Sequence, residues 1–391
     1  MEIIGIDVGF GFTKAYNGKN SVIFKSILGD ATDIHYRSSL GEDSSTSNLH
    51  ITLENKSYFL GNYAELQSNI REFTLDQEKL IEEFVKILAI TAASICTDTS
   101  APLHVVSGLP VGYLKRDRKK LKEMILGVHD ITIHHTNGQD VKKRINIDKI
   151  HIIPQPIGSI FNLLFDEQGK IKNRELATQK VGVVDIGFKT TDFSIFDHLH
   201  YIERGSLTMD TGISKCFSVI VNKLRQESNM NIELYRMFKF IDSGMIKIKG
   251  KEYNISNLKK RVYTHAASAI ASDLNRLWEN DWDMDSILLS GGGSVELAKY
   301  LSPNIDGNVI PIENNEDARF NNVRGYCKFG RYKWGYAKYI AENTKEQKTT
   351  KEPENTQEPA EDQDKADNTP DQDESKINNQ SKGLSWLKRQ G

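Results

Sequence analysis

Cysteine is scarce in this sequence. Its three cysteines, Cys96, Cys216 and Cys327, stand far apart and form no CxxC pair. That spacing offers neither a zinc site nor a disulfide framework, and it fits a reducing, cytoplasmic setting. Long apolar runs are missing too. No window approaches eighteen uninterrupted apolar residues, so no membrane-spanning helix is expected. The opening residues MEIIGIDVGFGFTK lack a basic region followed by an apolar stretch, which argues against a signal peptide. There is also no excess charge of one sign. A net charge of −2 removes the electrostatic case for nucleic acid as an obligatory partner, though not for a local basic patch. Apolar residues make up only 38% of the chain, and most of that shortfall lies in the C-terminal tail.

The tail is residues 343–391. From Asn343 to Lys382 it holds eleven acidic and six basic residues, with Ala360, Ala366 and Ile377 as its apolar ones. Such a segment buries too little surface to offset its chain entropy and reads as disordered. At its end, Gly383–Gly391 sets Leu384, Trp386 and Leu387 beside Lys388 and Arg389. An apolar-basic tip of this kind suits docking to a partner or a membrane surface; the alternative is a terminus with no role.

The remainder divides near residue 175 into two halves, 1–175 and 176–342. In the first, an apolar strand is expected at Glu2–Val8, a returning strand around Lys14, and a turn at Asn17-Gly18 before Ser21–Lys25. Residues 29–75 read as a polar, irregular, small inserted subdomain. Leu75–Ile95 has helical spacing, His104–Gly108 reads as a buried strand, and Leu114–Leu126 as a basic amphipathic helix. In the second half, strands are expected at Lys180–Asp185, Asp192–Phe196 and Ser286–Leu289, with helices at Ile213–Gln226 and Leu258–Asn280. Strand, glycine turn and returning strand therefore occur twice, which is a weak internal repeat of an α/β unit.

The chemistry sits at the ends of these strands. In Ile4-Gly-Ile-Asp7-Val-Gly9-Phe-Gly11-Phe12-Thr13-Lys14, a buried strand delivers Asp7. Gly9 and Gly11 permit a tight turn whose amides face a phosphate, and Lys14 supplies a cation. Asp7 is suited to hold Mg²⁺ through its waters. The run Val181-Gly-Val-Val-Asp185-Ile-Gly187-Phe-Lys189-Thr190-Thr191-Asp192 repeats this grammar. Two such hairpins facing each other would grip phosphates from both sides, and two aspartates near one Mg²⁺ suit phosphoryl chemistry. In Ile287-Leu-Leu-Ser290-Gly291-Gly292-Gly293-Ser294, three glycines let the backbone approach a flat ligand, and a helix start at Ser294–Glu296 would bring amides to an anion.

In this order the motifs resemble the two phosphate loops and the adenosine loop of the actin, sugar-kinase and heat-shock ATPase superfamily. Pro154-Gln155-Pro156-Ile-Gly158-Ser159 is similar to its first connecting helix, and Asn315–Tyr326 to its second. The phrases Val105-Val-Ser-Gly108-Leu-Pro110-Val, Asp210-Thr-Gly-Ile-Ser-Lys and NNVRGYCKFG resemble the bacterial and archaeal actin-like proteins, including the plasmid-segregating ParM group. The resemblance spans Met1 to about Ala341. It implies two ribonuclease-H-like domains flanking a nucleotide cleft. It also implies that Asp7 and Asp185 hold Mg²⁺ through water, that Lys14 meets phosphate, and that Gly9, Gly11, Phe12, Thr13, Gly187 and Thr190 line the phosphate loops. Gly291, Gly292 and Gly293 would form the adenosine loop, and Gln155 would orient the attacking water. Phe188 and Lys189 depart from the family's small residues; Lys189 either adds a phosphate contact or faces solvent.

The implied function is an ATPase (or GTPase) that polymerises into filaments with copies of itself. Such a filament would segregate plasmid DNA through a DNA-bound adaptor or position another cargo. The alternatives are a small-molecule kinase of the same superfamily and a non-polymerising ATP-dependent scaffold. Three other features have plainer readings. His134-His135 is a strand or loop pair without metal-ligand spacing. Phe329–Tyr339, rich in Tyr, Trp and Phe, reads as a core-packing final helix rather than a base-stacking surface. Lys115–Lys122 is a solvated basic face, or one that meets a neighbouring subunit or adaptor.

Overall fold

The computed structural model describes residues 2–31, 48–135, 138–310 and 317–349. The first half contains β1 (Glu2–Val8), β2 (Phe12–Tyr16), β3 (Ser21–Lys25), β4 (Leu28–Asp30), β5 (Asn48–Leu53), β6 (Lys56–Gly61), β7 (Arg71–Glu72), β8 (Leu103–Leu109), β9 (Gly127–His134) and β10 (Asp140–Pro154). They form one sheet in the order β3-β2-β1-β8-β10-β9-β5-β6-β4-β7. The interior strands β1 and β8 pair in parallel and read as apolar runs, as strands covered on both faces do. Helices α1 (Asn62–Gln67), α2 (Gln77–Leu80), α3 (Glu83–Cys96), α4 (Val111–Ile125) and α5 (Ile157–Leu164) complete this half.

The second half contains β11 (Lys180–Ile186), β12 (Thr191–Asp197), β13 (His200–Met209), β14 (Met245–Ile248), β15 (Lys251–Asn254), β16 (Ser286–Ser290) and β17 (Val309–Ile310). Its helices are α6 (Ile213–Ser228), α7 (Ser256–Leu277), α8 (Gly292–Leu301) and α9 (Asn321–Thr349). The main sheet runs β13-β12-β11-β16-β17. Its first four strands repeat the β3-β2-β1-β8 pattern: two antiparallel pairings, then a parallel one. The internal repeat is thus one of topology and not only of turns. Each half has its own core. A third cluster, including Ile157, Phe161, Val183, Tyr326 and Phe329, joins them.

Three elements differ from the sequence reading. Residues 29–75 are not irregular where described. β5 alternates buried and half-buried residues and pairs with β9, so it extends the main sheet. Single apolar residues among polar ones hid that period. The helix expected over 75–95 is broken at Ile81 and Glu82, between α2 and α3. Finally, α9 starts earlier than expected and continues to Thr349, past the boundary drawn at 342. It also packs on the first half's sheet. A Cβ on Gly5 of β1 would lie 2.1 Å from the Val323 carbonyl of α9. The tail beyond 349, with its apolar-basic tip, lies outside the described residues.

Candidate functional site

The two hairpins close with the same turn. The Gly9 amide donates to the Phe12 carbonyl at 3.1 Å, and the Gly187 amide to that of Thr190 at 2.8 Å. Strand register then sets one residue opposite each aspartate. Lys14 faces Asp7, and its ammonium lies 2.6 Å from Asp7 Oδ2. Asp192 faces Asp185, so the second hairpin opposes one carboxylate to another. The turns meet across a cleft: a Cβ on Gly11 would sit 3.0 Å from the Phe188 ring.

Burial pushes the Asp185 carboxyl up to about 7. An Asn322 amide donating at 2.8 Å opposes that rise, while the charges of Asp192 and Asp7 add to it. Burial likewise raises Asp192 to about 6, against hydrogen bonds from Thr208, Val111 and Thr190. One of these crosses the cleft, and a second crossing bond reaches Thr208. The Val111 amide at the start of α4 donates to Asp192 at 2.9 Å, and the Gly112 amide donates to the Thr208 hydroxyl at 2.7 Å. The second hairpin therefore caps a helix of the first half.

The cavity between the halves measures about 220 Å³. Its wall includes Gly9, Gly11, Phe12, Lys14, Gln155, Asp185, Gly187, Lys189, Thr190 and Gly291–Gly293, so these expected site residues converge. Asp7 and Thr13 are not on the wall. Asp7 is 2% exposed, with Lys14 on one oxygen and the Gln155 amide 3.4 Å from the other. Thr13 turns away; its hydroxyl is buried 3.0 Å from that of Ser26, which braces the turn by donating to the Gly9 carbonyl. Lys189 is half-buried, with its ammonium over the Phe10 ring.

Gly291 has φ +83°, and a Cβ there would lie 2.2 Å from Asp185 Oδ1. Only glycine lets the backbone leave β16 this close to the end of β11. Glu296, Asp242 and Arg319 continue the wall beside it. The second turn is held from behind by the start of α6: the amides of Gly212 and Ser214 donate to Lys189 and Phe188 at 2.8 Å each. Below the cleft, α5 and α9 cross at two glycines. A Cβ on Gly325 would lie 1.7 Å from the Gly158 carbonyl. Ser159 bonds Asn322 at 2.8 Å, which ties this crossing to Asp185.

Over the cleft, the halves meet through aromatic rings. Phe12 packs against Phe238 in a tilted pair at 4.6 Å, and Phe73 reaches Phe188 at 5.9 Å and Tyr235 at 5.4 Å. Of the residues missed by sequence reasoning, Asn322 lies inside the second connecting motif and Asp192 inside the second hairpin. Phe238 and Thr208 carry no local signal.

The donor set suits a hard cation. Asp7, Asp185 and Asp192 are buried carboxylates, and the repulsion that adds to burial in raising Asp185 would be relieved by a divalent ion. Among the described residues, no three His, Cys, Asp or Glu side chains are close enough to bind an ion directly. Holding Mg²⁺ through its waters fits both facts. No described helix is long and apolar enough to cross a membrane. His134 sits at the end of β9 with its ring between Asp140 and Thr52.

Comparison with known proteins points one way. Residues 5–158 match the model for the N-terminal domain of actin-like proteins. Residues 183–303 match that for the C-terminal domain of archaeal MreB-like actin homologues. A ParM from Clostridium botulinum, solved as a 15-stranded filament, is 23% identical. It superposes with a TM-score of 0.73 over 84% of this chain and 99% of that one. The archaeal actin homologue Ta0583, solved with ADP, is 20% identical with a TM-score of 0.67 over 84% of this chain and 98% of that one. Bacillus thuringiensis ParM with AMPPNP is 16% identical, with a TM-score of 0.64 over 88% and 99%. No curated protein matches the chain. At these identities the superpositions establish the fold.

Proposed function

Because this chain is an actin-like protein in both its halves, we propose that it binds a purine nucleoside triphosphate with Mg²⁺ in the interdomain cleft, hydrolyses it, and assembles with copies of itself into nucleotide-dependent filaments. The observation that carries this reading is the pair of matched hairpin ends, Asp7–Lys14 and Asp185–Asp192, brought to one cleft. Bound Mg²⁺ would neutralise phosphate charge there. The turn amides after Gly9 and Gly187 would cradle the phosphates from both sides. Lys14 would leave Asp7 for the phosphates, which frees Asp7 to join Asp185 around the hydrated ion. Gly291–Gly293 and the start of α8 would receive the nucleoside. Gln155, neutral and with its main-chain carbonyl held by the Tyr326 hydroxyl, would orient water rather than take its proton.

The cavity of about 220 Å³ falls below the ~300–1,000 Å³ usual for ligand pockets. Entry of a nucleotide therefore requires the halves to part, with the α5–α9 crossing as the pivot. Nucleotide-dependent closure is what an assembling subunit needs, since it selects one shape for the interface. A head-to-tail interface that does not close on itself then yields an open filament. The known filament of the Clostridium botulinum relative supports this assembly. Plasmid DNA, bound through an adaptor, is the cargo we favour.

The test is sedimentation and light scattering with ATP, GTP, ADP or no nucleotide, each with Mg²⁺, and phosphate release followed in parallel. Polymer that forms only with triphosphate is expected and names the nucleotide. Phosphate release without polymer over a wide protein range would favour a kinase or scaffold instead. Absence of both binding and release would overturn the reading.

A further inference from the structure

On the outer face of the first half, away from the cleft, lies a groove of about 560 Å³. Its rim carries Lys115, Arg118, Lys119 and Lys122 from α4, Lys149 from β10 and Lys333 from α9. Leu126 and Trp334 form an apolar part of its wall. Four of the six cations stand without a matching carboxylate among the described residues. Lys119 reaches Glu123 at 3.8 Å, while Lys115, Lys122, Lys149 and Lys333 have no ion-pair partner among the described residues. The one acidic residue of the wall, Asp148, lies 3.3 Å from His104. The crowding of positive charge adds to the effect of burial on the groups beneath it. His151, buried in the groove wall, is pushed down to about 3 by burial and by Lys333, Arg118 and Lys122. Lys333 is itself lowered by burial and by Arg118.

The chain carries a complementary segment. Between Glu352 and Glu374 stand ten carboxylates and one lysine, with Pro353, Pro359 and Ala360 among them. That segment follows directly on α9, the helix that contributes Lys333 and Trp334. The helix rises about 1.5 Å per residue, so its end at Thr349 lies roughly 22 Å beyond the groove. A Gly-rich coil of n residues spans about 5–6 Å × √n and a charged chain extends further, so the middle of the acidic segment can reach at least about 20 Å from its anchor. The tether thus covers the distance, and a short tether that spans its sites gives an effective concentration of about the millimolar range.

We propose that residues 352–374 of this chain dock in the basic groove formed by α4, β10 and α9 of the same molecule. The tail so held covers the groove and competes with any other polyanion for it. A nucleic acid would have to displace a tethered rival, which is why the tail is the occupant we assign.

Zero-length carbodiimide cross-linking of the full chain, followed by peptide mapping, tests this. Carboxylates between Glu352 and Glu374 should link to Lys115, Lys119, Lys122 and Lys149 in preference to other lysines. The links should be lost at about 1 M salt, where the Debye length is ~3 Å. Lysine acylation provides an independent readout. The groove lysines should be protected in the native chain and lose protection when Glu352, Glu354, Glu358 and Glu361 become Gln and Asp362, Asp364 and Asp367 become Asn. Those changes leave the folded core untouched. Links scattered over the surface would overturn the proposal, as would equal acylation with either tail. So would links only between molecules in an isotopically mixed sample, or protection only when duplex DNA is added.

Discussion

Asp185 combines deep burial with two like charges nearby, and its proton follows from that. Its ordinary value of 3.8 rises to about 7 in the fold. Between those values the folded state holds a proton that the unfolded chain has released. Its contribution to stability is therefore greatest at acid pH and falls as pH rises towards 7. Without metal, denaturant unfolding at a series of pH values should show this decline, and Asp185→Asn should make it shallower, leaving the part that Asp192 contributes below about pH 6. Binding of nucleotide with Mg²⁺ should run the other way and strengthen as pH rises through 7, because the cation needs the carboxylate. The same variant should slow phosphate release by on the order of 10²-fold, the scale of losing one aligned charge-stabilising group. Asp7 and Asp185 were legible in sequence because an apolar strand ending in Asp and a glycine turn is a local pattern. The charge state of Asp185 was not legible. It depends on Asn322, 137 positions away, and on the register that sets Asp192 opposite.

The helices α5 and α9 show how little room an element can leave. At Gly325 a Cβ would lie 1.7 Å from the Gly158 carbonyl, a backbone atom that cannot rotate away. Gly325→Ala should force the helices apart and cost about 1–3 kcal/mol or more. Gly335→Ala is the matched control on the same helix, since a Cβ there meets nothing within 4 Å. It should stabilise by about 0.5–1 kcal/mol through helix propensity alone. Thermal or denaturant melts of the two variants, moving in opposite directions, check both. Both connecting motifs were visible in sequence, but not the fact that their glycines meet. Nor was it visible that α9 returns to cover β1 and β8. A helix's partner is chosen by the shape of its buried face, and several sheets offer a similar apolar surface.

At the scale of the whole molecule, aromatic rings from the two halves meet over the cleft. Phe238 belongs to the second half and meets Phe12 of the first. An aromatic pair contributes about 0.5–1.5 kcal/mol beyond its buried area. Phe238→Ala should shift the balance towards the open cleft by roughly 2–10-fold on that figure. Small-angle scattering should report a larger radius of gyration for the nucleotide-free variant, and stopped-flow release of a fluorescent nucleotide should be faster. Unchanged exchange would mean that these rings do not limit opening.

By itself, the sequence determined the two halves, their strand–glycine–strand hairpins, the order of the loops that meet at the cleft, and the contrast between them and the acidic tail. Each of these is written in neighbouring residues: apolar runs of strand length, glycines where a turn must be tight, and a stretch with too few apolar groups to bury. Only the tertiary structure decided that Asp192 caps α4 across the cleft, that Lys14 rests on Asp7 while Thr13 turns away, and that β5 and β6 extend the first sheet. It alone gathered lysines from α4, β10 and α9 around one groove. Those outcomes depend on register and packing between residues far apart in the chain, where many pairings satisfy local preference and the fit of the whole selects one.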